Sequence, residues 1–225
     1  MEKFQKILHL RGVNWLVEAK EVVIPLPGRE LRLALVRDVE ALITDPGDED
    51  KVPCWAEIWP AAWGLAAYIC DRLSFAGENL LELGAGLGLP GVVYGLKGAR
   101  VTFSEFNPLA LEFSARNALL NGLEHFCCLS GDWRRFPAAE KYEWIVGSDI
   151  FYDPKLNPHL AGVIKACLAP GGRLLLAHPG RPVRFEFVRG LVEDGFGMEE
   201  EALLSVYIED PYFPYYEIRI NVLRR

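Results

Sequence analysis

No stretch of this sequence approaches the roughly 20 consecutive apolar residues that a membrane-spanning helix needs, so a membrane is not expected as its working environment. The opening residues, MEKFQKILHLRG, scatter charges where a secretory signal would place a long apolar segment, which argues against export. Basic residues are also scarce. Lys and Arg number 24 against 31 Asp and Glu, a formal charge of −7, and without a cationic surplus nucleic acid is disfavoured as the main partner. The five cysteines (Cys54, Cys70, Cys127, Cys128 and Cys167) are odd in number and contain no CxxC pair. They read as reduced thiols of a cytoplasmic protein, mostly filling core. His9, His125, His159 and His178 are scattered, and no metal site follows from them.

What is present is enough apolar side chain, 51% of residues, to build one large domain or a domain with a small addition. Glu21–Leu26 and Leu31–Val36 flank the Pro-Gly turn PLPGRE and predict a β-hairpin. The acidic stretch DPGDEDKVP, Asp45 to Pro53, predicts a loop separating an N-terminal extension, residues 1–50, from a main body, residues 51–225. AAWGLAAYICDRL has the broad apolar face of a helix. From Leu80 onward strands alternate with helices, and Asn107, Pro108 and Gly122 punctuate one of those helices as cap, first residue and stop. The pattern predicts an α/β, Rossmann-like fold: a seven-stranded, mostly parallel sheet covered by helices on both faces. The last two strands have no helix between them and should form an antiparallel edge hairpin.

The decisive segment is LLELGAGLGLPG, Leu80 to Gly91, a strand leading through a glycine turn into a helix. A phosphate-gripping loop would need a Lys that is missing. A dinucleotide fingerprint would need a third glycine where Leu89 stands, which weakens the reading as a nicotinamide-dependent oxidoreductase. Instead Glu82 precedes Gly84, Gly86 and Gly88, and a carboxylate there would oppose a pyrophosphate. A cationic nucleoside without phosphate would suit it, and S-adenosylmethionine has an ammonium, a sulfonium and a ribose. Glu105 ends the next strand about 20 residues after the turn, where a carboxylate accepts ribose hydroxyls.

With those residues in view, the chain resembles the seven-β-strand S-adenosylmethionine-dependent methyltransferases, and within them the family-16 protein-lysine methyltransferases. EIWPAAWGLAAYI is similar to the family's segment before the first sheet strand, LELGAGLGLPG to its cofactor loop, GDW to the segment that closes on adenine, and GSDIFYDP to its Asp-x-x-Tyr signature. AHPGRP, together with DIFYDP, is similar to the branch that methylates the β-subunit of electron transfer flavoprotein.

The resemblance implies roles residue by residue. Trp59, Glu82, Gly84, Ala85, Gly86, Glu105 and Ser148 would line the cofactor site, with Asp132 bonding the adenine amino group and Trp133 flanking the ring. Asp149 would orient an acceptor amine and Tyr152 would shape its channel. The implied acceptor is a protein lysine. A small-molecule amine, another protein atom, or a non-catalytic binding module on the same fold are the competing readings. Trp55 and Trp63 read as packing or entrance residues. Arg181 reads equally as an acceptor contact or a local cap, and the aromatic loop Asp210–Tyr216 as a platform or as edge packing.

Overall fold

The computed structural model describes residues 4–10, 13–45, 47, 52–138, 140–208 and 212–225. The predicted loop at Asp45–Pro53 and the aromatic loop at Asp210–Tyr216 lie partly outside them. Three strands come first, β1 (Phe4–Leu10), β2 (Val13–Leu26) and β3 (Arg29–Val36), forming an antiparallel sheet in that order. The Pro-Gly turn pairs β2 with β3 as expected, Leu26 opposite Arg29. The addition is nevertheless three strands, not a hairpin. FQKILHL mixes charged and apolar residues without period-two alternation, so β1 carries little strand signal of its own.

Helix α1 (Pro60–Arg72) leads into β4 (Asn79–Leu83), α2 (Leu89–Leu96), β5 (Arg100–Glu105), α3 (Pro108–Leu120), β6 (Phe126–Ser130) and β7 (Tyr142–Ser148). After these come α4 (Asn157–Cys167), β8 (Leu168–His178), α5 (Pro182–Glu193), β9 (Gly197–Tyr207) and β10 (Tyr215–Arg224). The large sheet runs β6-β5-β4-β7-β8-β10-β9. β4 to β8 are parallel neighbours, while β10 enters antiparallel between β8 and β9. Asn107 caps α3 as expected, its side chain accepting from the Leu109 N–H at 2.9 Å. β8 begins at Leu168, which pairs with Tyr142 ahead of a register shift.

Strand alternation divides the core. Leu80 joins Val101, Trp144 and Leu175 on one face, under Leu65 and Ile69 of α1 and Val92 of α2. Leu81 joins Ile145, Leu174 and Leu176 on the other, under Leu160 and Ile164 of α4 and Phe187 of α5. Among the described residues, no helix is long and apolar enough to cross a membrane.

Two contacts decide how the parts sit together. Asn117 on α3 and Asn121, the residue that caps its end, lie one turn apart and face the open edge of β3. Asn117 accepts from the Ala34 N–H at 2.7 Å and donates to the carbonyls of Ala34 and Leu87; Asn121 treats Arg32 likewise, at 3.0 and 2.7 Å. The helix thus closes an unpaired strand edge with side-chain amides. Under α2, Glu82 is buried and accepts from the Gly91 N–H at 3.1 Å. A side chain at residue 91 would run into that carboxylate and into Phe103, so the helix lies directly on β4 and β5. Burial pushes the Glu82 carboxyl up to about 8, with a smaller contribution from Glu105.

Replacing Asn117 with Ala leaves three buried backbone groups without their partner, and urea unfolding should report a loss of about 3 kcal/mol. A proton held by Glu82 in the folded state but not in the unfolded one stabilises the fold fully below pH ~4.5. That contribution is lost as pH rises towards 8, at up to about 1.4 kcal/mol per pH unit. Glu82→Gln keeps an acceptor for Gly91 and removes the titration, so its stability relative to the parent should climb between pH 5 and 8. A gap that stays constant across that range contradicts the assignment.

Candidate active site

A cavity of about 510 Å³ opens at the carboxyl ends of β4 to β7, where an open parallel sheet binds its ligands. Ten of the eleven residues singled out from sequence line it: Trp59, Gly84, Ala85, Gly86, Glu105, Asp132, Trp133, Ser148, Asp149 and Tyr152. Glu82 does not. It points beneath α2, where burial raises its carboxyl pKa to about 8. Glu82 faces the helix side of β4, towards the first turn of α2.

The turn after β4 makes the floor. Gly84 has φ +61°, and a side chain there would meet Ile150 Cγ2 at 2.7 Å and the Trp133 ring at 3.5 Å. Backbone bonds hold the turn to β5: Ala85 N–H donates to the Ser104 carbonyl at 3.0 Å and Gly86 N–H to Glu105 Oε2 at 3.0 Å. Glu105 also accepts from Phe106 N–H at 2.7 Å and Asn107 N–H at 3.2 Å through Oε1. Burial raises its pKa, and these three bonds pull the other way. Three of about four lone-pair directions are therefore taken, leaving one on Oε2.

The walls come from neighbouring strands. Asp132 caps the single turn at Trp133–Arg135, and its carboxylate takes Arg134 Nε at 2.9 Å and Arg134 N–H at 2.9 Å, which lowers its pKa. Arg134 stands over the exposed Phe106 ring, 5.8 Å from its centroid. Trp59 heads α1 and donates its indole N–H to the Cys54 carbonyl at 2.7 Å.

The turn after β7 sorts its side chains in two directions. Ile150 packs over Gly84 and Gly147, and Phe151 is buried, stacking on Phe187 of α5 with centroids 5.0 Å apart. Asp149 and Tyr152 are left at the cavity. Asp149 has φ +53°, alone among the described non-glycine residues in the left-handed region. Its N–H bonds the Ala177 carbonyl at 2.8 Å, and its Oδ1 receives Arg184 Nε at 2.9 Å and Nη2 at 2.8 Å.

Some residues at or near the site carried no firm role in cofactor binding or transfer. Trp55 lines the cavity, its carbonyl 3.2 Å from where a Gly86 side chain would begin, whereas Trp63 packs into the core. Phe106 lines it too, and an aromatic directly after the strand-end acid was the available signal. Arg181 only precedes α5; Arg184, three residues on, reaches the site, and nothing in its spacing announces a contact 35 residues away.

The cavity fits a nucleoside cofactor by its own features: a floor that a side chain would fill, a strand-end carboxylate with an acceptor site to spare, and aromatic rings at the walls. Comparison with known proteins agrees. The profile of the lysine methyltransferase family matches residues 43–188. A mouse protein named EEF1A lysine methyltransferase 3 is 33% identical over 166 residues, covering 68% of this chain and 70% of its own length. A human histone-arginine methyltransferase is 32% identical over 105 residues, 44% of this chain and 55% of its own. The crystal structure of an N-methyltransferase, NodS from Bradyrhizobium japonicum, in complex with S-adenosyl-L-homocysteine, superposes with a TM-score of 0.60 at 16% identity, covering 83% and 96% of the two chains, which shows a shared fold. This chain belongs to the lysine methyltransferase family and is an S-adenosylmethionine-dependent methyltransferase.

Proposed function

We propose that the chain methylates the side-chain nitrogen of a lysine in a protein acceptor, in the cytoplasm. The observation that carries the reading is the pair Asp149 and Tyr152, turned outward at the cavity by the inward packing of Ile150 and Phe151. Five free cysteines suit a reducing compartment.

Gly84, Ala85 and Gly86 would cradle the cofactor's amino-acid end and Glu105 would accept a ribose hydroxyl through Oε2, while Asp132, Trp133 and Phe106 would border the adenine. When bound, S-adenosylmethionine supplies an electrophilic methyl group, whose transfer to an amine leaves a neutral thioether and sends one proton to water. The protein's task is then to present a neutral amine in line. A free lysine is neutral at about one part in a thousand near pH 7. Desolvation in a cavity walled by Trp59, Ile150 and Tyr152 favours the neutral form. Asp149 holds an amine N–H and sets the direction of the lone pair, and that alignment is the main catalytic contribution.

Purified protein incubated with radiolabelled donor and a lysate of its own host should label a protein band whose hydrolysate contains methyllysine. Label confined to small molecules overturns the protein acceptor. Asp149→Ala should cut the labelling rate by at least about 100-fold while the S-adenosylhomocysteine affinity, by calorimetry, stays within about threefold. Glu105→Gln should do the reverse first, weakening that affinity by about tenfold or more. Full activity in Asp149→Ala removes its assigned role.

A further inference from the structure

A bare carboxylate beside an acceptor lysine works against the reaction, because an opposite charge within about 4–6 Å stabilises the ammonium by one to three pKa units. The structure answers this difficulty with a residue the catalytic reading does not use. Arg184 lies in the first turn of α5, is 4% exposed, and places Nε and Nη2 on one oxygen of Asp149, at 2.9 and 2.8 Å. Both contacts fall on Oδ1. Oδ2 receives no donor among the described residues, while Asp149 itself lines the cavity.

The surroundings leave Arg184 as the group that offsets this charge. His178, at the end of β8, accepts the Gly180 N–H through Nδ1 at 3.1 Å and therefore donates from Nε2 to Asn221 Oδ1 at 2.9 Å, the neutral tautomer. Burial lowers its pKa further. Arg219 on β10 pairs with Glu201 at 2.9 Å and stands over Phe185. Arg134 is held on Asp132, and across the cavity Glu57 and Glu105 add only negative charge. Tyr152 lines the cavity from the same turn.

We propose that Arg184 is the positioning residue of the transfer site: it holds Asp149 in its left-handed turn and cancels its charge, so that Oδ2 orients the acceptor amine without retaining the amine's proton. The inference rests on the lysine reading above. Through Arg184, the first turn of α5 becomes part of the active site, and the α5 side of the fold sets the pH at which the enzyme works.

The test uses the full chain and initial rates of label incorporation into host lysate from pH 6.5 to 9.5. In Arg184→Gln the carboxylate is uncompensated. The acidic limb of the rate profile should move up by about one to three pH units, so the rate at pH 7 falls by roughly 10- to 1000-fold and recovers as pH rises. Arg184→Lys, which restores the charge, should keep the limb within about half a unit of the parent, and it serves if the glutamine variant folds poorly. An independent readout is binding of n-butylamine, a lysine side-chain probe, at pH 7 with S-adenosylhomocysteine present, followed by tryptophan fluorescence. It should tighten by about tenfold in Arg184→Gln even as the rate falls. A loss of rate that is equal at every pH, or weaker amine binding, means that Arg184 only supports the fold and overturns the proposal. Absence of methyllysine with the parent protein is a separate outcome that defeats the lysine reading itself.

Discussion

The methyl group of Ile150 lies where a side chain on residue 84 would begin. That close approach brings the turns after β4 and β7 into contact across the sheet, and most of the site depends on it. Ile150 is seated on Gly84 and Gly147, and Phe151 stacks on Phe187, so the turn from Ser148 to Tyr152 is anchored by its two inward residues. Within that turn Asp149 occupies the left-handed region, a conformation that an aspartate tolerates better than most side chains. Its amide bond to Ala177 and its ion pair with Arg184 hold it there. The two outward residues are thus placed by the packing of the two inward ones.

Charge is handled in the same local manner. The cavity region is rich in acids, and four of them have their charge removed or engaged. Burial disfavours the charge of Glu82, Glu105 is tied to three backbone N–H groups, Asp132 to Arg134, and Asp149 to Arg184. Around the transfer site the free acceptor is thereby reduced to one carboxylate oxygen, Oδ2 of Asp149. That suits a reaction whose acceptor must give up a proton before it reacts. A field that attracted ammonium ions strongly would bind the acceptor in its unreactive form.

The small N-terminal sheet supports this arrangement from behind. Val17, Ala19, Ala34 and Val36 pack with Leu87, Leu109 and Phe113, so the inner side of the glycine turn rests on residues of β2 and β3. Trp55, at the cavity, leans on Phe113 with ring centroids 5.9 Å apart. The paired amides of Asn117 and Asn121 keep that sheet in register with α3. Stability of the addition and shape of the cofactor turn are in this way linked through one cluster.

Strand-helix alternation from Asn79 to Glu193 was legible because each element carries its own period and its own stop, such as Asn107-Pro108 before α3. The glycine turn, Glu105 and the Asp-x-x-Tyr segment were legible because their chemistry is local: a few adjacent residues must adopt one shape or meet one ligand. β1 was not, since its residues show no alternation and it is a strand only through pairing with β2. The side of β4 on which Glu82 falls, and hence its loss of charge, depended on where α2 comes to rest. Trp55 behind Gly86 and Arg184 on Asp149 are contacts between segments about 30 residues apart or more, which no spacing rule encodes. The sequence by itself determined the fold, the donor and the acids near it. Tertiary packing decided which of those acids keep a charge, because burial and a partner's position exist only once the chain has closed on itself.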